Sequence, residues 1–224
     1  IQFNSQNDLK NYPRTLTKDI EILNKLGVDI LFNPSEKDIY PSKPKLSYTL
    51  PPLAKQLCGA SRPGHFEGVI MIIDKLFGLF KPDHVFFGKK DYQQLILIKQ
   101  FISDKNYQIC FHSVETVREQ NSLALSSRNS LLKSKAKVIA STLFETLKDA
   151  IVELKKFHDI NLAELFAVKK LTSLGWSVDY VEIRRQADLL KPSTSDENLV
   201  ILGAANYENV RLIDNIEFCI DCTI

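Results

Sequence analysis

The sequence predicts a doubly wound, parallel-sheet α/β domain followed by a smaller α+β domain. Three observations carry this. In the first half, helical apolar periodicity alternates with short, nearly all-apolar runs, the pattern of strands buried on both faces. Near residue 116 that alternation stops. After it come two helical segments and then three period-2 runs separated by turn-rich sequence, an order that suits helices packed on a small meander. The boundary is therefore placed at 116, giving segments 1–116 and 117–224.

Taken in order, Thr15 or Thr17 caps a helix with Leu16, Ile20, Leu23 and Leu26 at helical spacing. Gly27 stops it before a predicted buried strand at 28–32. Residues 33–64 are rich in proline, which predicts a long ordered excursion with one short helix near 53–57, of the kind that lines sites. A helix at 66–80 carries Val69, Ile72, Ile73 and Leu76, and Pro82 separates it from a strand at 84–87. The next helix opens at Asp91 with Leu95, Ile98 and Ile102 on one face and leads to a strand at 108–114. Beyond the polar, Ser-rich stretch 119–128, helices are predicted at 136–154 and 162–174 and strands at 178–183, 199–204 and 210–213.

Composition narrows the function. Of 224 residues, 44% are apolar types and 25% charged, a balance that builds a core and excludes disordered and fibrous classes. Lys and Arg number 29 against 27 Asp and Glu, with no dense basic cluster, so a nucleic-acid partner is not expected. The apolar runs stop far short of the roughly 20 residues that cross a bilayer. Four scattered cysteines do not make a disulfide framework, and with no targeting peptide visible a reducing, cytoplasmic setting is expected. Cys219 and Cys222 form a lone C-x-x-C without two further ligands nearby, so no metal site is expected. The first residue is Ile, which suggests that the true start lies upstream.

Three stretches carry candidate chemistry. In the first, an apolar strand runs into Gly88, Lys89, Lys90 and Asp91, with Gln94 three residues past the cap. Ligands in open α/β sheets bind beyond the carboxyl ends of strands, and helix N-termini attract anions, so a phosphate suits this turn. Gly88 lets a ligand approach the backbone, and Lys90 can neutralise charge on a transferring phosphoryl group. In the second, Leu125, Ser126, Ser127 and Arg128 bring two hydroxyls and a planar fork suited to phosphate oxygens. In the third, Ser61 to Gly68 place His65 between glycines as a candidate acid, base or phosphate contact. Each stretch alone also reads as a capped, solvated turn. Residues 115–119 and 155–159 read as solvated faces, and His84, His112 and His158 as structural or solvated.

Together with Gln2-Phe3, Tyr12 to Thr15 and Arg211 to Asn215, these stretches resemble the pantothenate synthetase family, the pantoate–β-alanine ligases of coenzyme A biosynthesis. The resemblance covers nearly the whole chain. It implies a Rossmann-like, nucleotidyltransferase-type domain with a C-terminal lid, a homodimer, and small-molecule substrates: ATP with its Mg2+, pantoate and β-alanine. By position it implies that Gly88, Lys89, Lys90, Asp91, Val117, Leu125, Ser126, Ser127 and Arg128 contact ATP. It also implies that Gln2 and Gln94 hold pantoate, with Gln2 bordering β-alanine. Lys90, Ser126, Ser127 and Arg128 take the catalytic role of stabilising charge on the α-phosphate during adenylate formation. Lys89 stands where the family usually has Glu, and Met71 where a small polar residue is common. The family's H-x-G-H signature, which precedes the matched region, is not in the sequence. Two readings follow: a working ligase, or a non-catalytic remnant that binds pantoate or nucleotide weakly or serves as a dimer partner.

Overall fold

The computed structural model describes residues 9–10, 12–42 and 46–221. Gln2 and Cys222 lie outside them. Helix α1 (Leu16–Lys25) ends where predicted, Gly27 taking the left-handed φ of +69° that favours glycine. Thr15 sits at its N-cap, but its hydroxyl donates to Asp19 Oδ1 instead of accepting a backbone N–H.

The predicted strand at 28–32 does not form. A strand needs a ladder partner, and none pairs with this run among the described residues. Ile30 is exposed, and Phe32 instead meets Phe80 edge to face at 5.0 Å. The proline-rich excursion holds two short helices, α2 (Glu36–Ile39) and α3 (Cys58–Ser61), and a 3-10 turn at Pro52–Lys55.

Next come α4 (His65–Phe80), β1 (His84–Gly88), a 3-10 turn (Lys89–Asp91), α5 (Tyr92–Asp104) and β2 (Cys110–Val114). The two strands pair in parallel, His84 opposite Cys110 and Gly88 opposite Val114. Two loops therefore leave the same sheet end, after Gly88 and after Val114. Phe66, Ile70 and Phe77 of α4 and Leu97, Ile98 and Phe101 of α5 form the core beside the sheet.

The predicted helix at 136–154 is two, α6 (Ser134–Ala140) and α7 (Thr142–Phe157). At the joint Ser141 Oγ donates to Val138 O and Thr142 Oγ1 to Ile139 O, and such back-bonding bends helices. Helix α8 (Ile160–Ser173) follows, capped by Asp159, whose carboxylate accepts from Leu162 N.

Strands β3 (Ser177–Arg185), β4 (Asn198–Tyr207) and β5 (Val210–Cys219) form an antiparallel meander in the order β3-β4-β5. It is buried on both faces. Leu199, Ile201 and Ala205 of β4 face α7 and α8, whereas Val200 and Leu202 join the core of the first half. This explains why 199–205 is continuously apolar where a one-sided meander would alternate. The C-terminal sheet thus packs directly on the elements that carry the candidate turns.

A β-carbon at Gly59 of α3 would stand 1.9 Å from Ala54 O. The Gly59→Ala variant must displace backbone, and overpacking of this kind costs about 1–3 kcal/mol or more. Denaturant melts should show that loss, because no flexible side chain is there to yield.

Candidate active site

The turn after β1 is built so that its two lysines diverge. Lys89 Nζ reaches Glu115 and, at 2.6 Å, Glu217 of β5, and these carboxylates raise its pKa. Lys90 turns the other way, and its Nζ donates to Leu125 O at 2.8 Å. Burial lowers the pKa of Lys90, partly offset by Asp91 and Asp214. Asn215 of β5 donates from Nδ2 to the carbonyls of both Lys89 (2.9 Å) and Lys90 (3.0 Å), fixing the turn that aims them.

Asp91 occupies the N-cap of α5, but its side chain accepts no capping bond. It faces the cavity described below, where burial raises its pKa against the pull of Lys90, Arg128 and Arg62. Between 3.8 and the raised native value the folded protein holds this proton more tightly than the unfolded chain does, so stability falls as pH rises through that window. The Asp91→Asn variant should therefore melt higher than the parent at pH 7, the gap closing as pH drops towards 3.8.

The second stretch is a tight hairpin. Leu125 N donates to Val117 O, Arg118 pairs with Ala124, and Ser126 Oγ accepts from Arg128 N at the start of a 3-10 turn (Ser127–Leu131). The capped-turn reading of Ser126 is thus correct for one of its bonds. Ser127 Oγ lies 3.2 Å from Tyr12 OH, and the Arg128 guanidinium sits over the Tyr12 ring at 5.5 Å. Residues 115–119 are not merely a solvated face, because Arg118 forms a two-pronged bond with Asp214 at 2.7 and 2.8 Å and lies 3.6 Å over Phe144.

These turns converge on a cavity of about 680 Å3 lined by Lys90, Asp91, Leu125, Ser126, Ser127 and Arg128, with Ser61, Arg62, Asn206 and Arg211 on other walls. A smaller pocket shares Arg62, Lys90, Asp91 and Arg211 with it and adds Cys58, His65, Gln94 and Tyr180. The guanidinium of Arg62 lies 3.0 Å from His65 Nε2. Gln93 is buried and structural, accepting from Cys58 N and donating to Leu53 O and Gln56 O, which leaves Gln94 to face the pocket.

Not every sequence-predicted residue arrives there. Lys89 points into a separate cleft with Tyr92 and Arg185, because Glu115 and Glu217 capture it. Val117 is exposed and contributes a backbone carbonyl to the hairpin, and Gly88 is not among the residues lining this cavity, although the space above it is open. Gln2 falls outside the described residues. Sequence reasoning assigned no role to Arg211, whose Nε donates to Asp179 at 2.7 Å and whose Nη2 donates to Ser61 Oγ at 3.2 Å. Its place in the 211–215 motif was the available signal. Asp179 and Asn206 carried none.

The whole region, residues 1–217, matches the family model described as pantoate-beta-alanine ligase. The chain belongs to the pantoate–β-alanine ligase family. It is 45% identical to the pantothenate synthetase of Methylobacillus flagellatus, over 98% of this chain and 80% of that one. It is 43% identical to that of Methylococcus capsulatus, over 99% and 79%. Among solved structures, pantothenate synthetase from Thermus thermophilus superposes with a TM-score of 0.88 at 33% identity, covering 96% of this chain and 79% of that one. A pantoate-beta-alanine ligase from Francisella tularensis, complexed with beta-gamma ATP and beta-alanine, gives 0.74 at 36% identity, covering 99% and 76%. The chain is thus a ligase-family enzyme with a parallel α/β sheet and a separate antiparallel sheet. No helix among the described residues is long and apolar enough to cross a membrane.

Proposed function

We propose that the chain condenses pantoate with β-alanine, using ATP, through a pantoyl-adenylate intermediate. The pantoate carboxylate oxygen forms a bond to the α-phosphorus as the bond to pyrophosphate breaks. The β-alanine amine then attacks the acyl carbon, AMP leaves with the C–O bonding pair, and the amine proton passes to solvent or a base. The observation that supports this most is the convergence of Lys90, Ser126, Ser127 and Arg128 on one cavity from separate stretches of chain.

Each group suits the first step. Negative charge gathers on the α-phosphoryl oxygens, and two cations with two hydroxyls, held in place before the reaction, stabilise it without reorganisation. Burial strengthens Lys90 by removing competing water. Asp91 and Asp179 both face the same space; Asp179 is paired with Arg211, which leaves Asp91 suited to the Mg2+ that accompanies the nucleotide as substrate. Gln94 donates and accepts with a neutral amide, suited to pantoate, and Gln2 is its proposed partner there and at β-alanine. Residues 117–224 act as a lid whose closure shields the adenylate from water. A cytoplasmic homodimer is the proposed working form.

The test is AMP release from ATP and pantoate in the full-length protein, measured with and without β-alanine. Release that requires all three substrates is expected. Nucleotide binding without release would replace the ligase reading with that of a non-catalytic binder.

A further inference from the structure

The 211–215 motif ends in Asp214-Asn215, adjacent strand residues that point to opposite faces of β5. Both are buried, at 4% and 7% exposure, and neither side chain is used in the sheet ladder. On the face towards the first half, Asn215 donates to the carbonyls of Lys89 and Lys90. On the face towards α7, Asp214 grips Arg118, which lies on Phe144 and donates to Ser122 O within the hairpin. That hairpin presents Leu125 O, the acceptor for Lys90 Nζ. The two ends of Lys90 are therefore held from one strand, the main chain through Asn215 and the ammonium through Asp214, Arg118 and Leu125.

We propose that Asn215 and Asp214 are positioning residues for Lys90, so that docking of the C-terminal sheet sets the aim of the phosphate-facing ammonium. Both amide hydrogens of Asn215 are committed to consecutive carbonyls, an arrangement that specifies the turn rather than filling space. Asn215 N also donates to Asp214 Oδ1 at 2.8 Å, which ties the two arms together. A transition state that develops charge at one atom is sensitive to sub-ångström misplacement of its donor, whereas ground-state binding spread over many groups is not. The loss should accordingly fall on the rate and not on KM.

This inference rests on the ligase reading, and a double-mutant cycle separates the two. Single-turnover adenylate formation from ATP and pantoate is followed over hours, so that slow variants remain measurable, in the full-length parent, Asn215→Ala, Lys90→Ala and the double variant. Asn215→Ala should form adenylate about 10- to 100-fold more slowly, with the KM for ATP and pantoate within about threefold of the parent, the loss produced by a misplaced catalytic group. In the Lys90→Ala background the same change should have almost no further effect, because the group being positioned is gone. Losses that multiply, an unchanged rate, or a rise in KM with rate intact would each overturn the positioning role. A parent that forms no adenylate would overturn the ligase reading itself. Should Asn215→Ala fail to fold, Asn215→Ser, which keeps one shorter donor, enters the same cycle with the same outcomes.

Discussion

Replacing Lys90 with alanine should slow adenylate formation by a thousandfold or more, about 4 kcal/mol of transition-state stabilisation, while leaving the fold intact. The rate effect is large because Lys90 Nζ lies in a partly dehydrated cavity with one acceptor among the described residues, Leu125 O, and its remaining hydrogens can serve an oxyanion. The stability effect is small because the lysine charge is held at a desolvation cost, and its removal forfeits a single hydrogen bond worth about 1 kcal/mol. The pH profile offers a second check. With its pKa below the ordinary 10.5, Lys90 loses its proton, and the rate its contribution, at a lower pH than an exposed lysine would. Lys90→Arg should restore part of the rate and move that alkaline limb upward. Parent-like turnover in Lys90→Ala, measured as AMP release, would remove the residue from the mechanism.

What the sequence made legible follows the range of the forces involved. The helix at 65–80, the strand at 84–88 and the helix from 92 were readable because periodicity and punctuation by Pro82 and Gly88 are local signals. The run at 28–32 was misread because apolar composition shows what a strand could bury and not whether a ladder partner is present. The break at Ser141 depends on hydroxyls bonding to their own helix, which periodicity averages away. In the site, Lys90, Asp91, Ser126, Ser127 and Arg128 stand out by the chemistry of their types, while Leu125 and the link between the two stretches rest on the resemblance; all of them line one cavity. Lys89, chemically the same type as Lys90, could not be told from it. Its direction is set by Glu115 and Glu217, 26 and 128 residues away in sequence. The roles of Arg211, Asp214 and Asn215 were likewise hidden, being defined by partners 150, 96 and 126 residues away in sequence.

The same long-range dependence makes Asp214 the most sensitive structural position in the site. Its carboxylate is buried and takes both prongs of Arg118 at 2.7 and 2.8 Å. Asp214→Ala leaves the guanidinium of Arg118 between Phe144 and the hairpin with Ser122 O as its remaining hydrogen-bond acceptor among the described residues. Breaking one side of a buried pair costs about 3–5 kcal/mol, and the partial exposure of Arg118 places this case near 3. For a chain of this length that corresponds to a fall in Tm of about 6–12 °C. The cost belongs to the stranded charge rather than to lost attraction, because the intact pair already carries the desolvation of both ions. The combined variant Arg118→Met, Asp214→Leu should accordingly recover at least half of the stability lost in Asp214→Ala, as thermal melts of the two would show. Recovery of folding should not restore catalysis, since the hairpin that presents Leu125 O to Lys90 Nζ would then lack the Arg118 bond to Ser122 O. A double variant no more stable than Asp214→Ala would mean that the pair contributes through its geometry, and that the stranded-charge account is wrong.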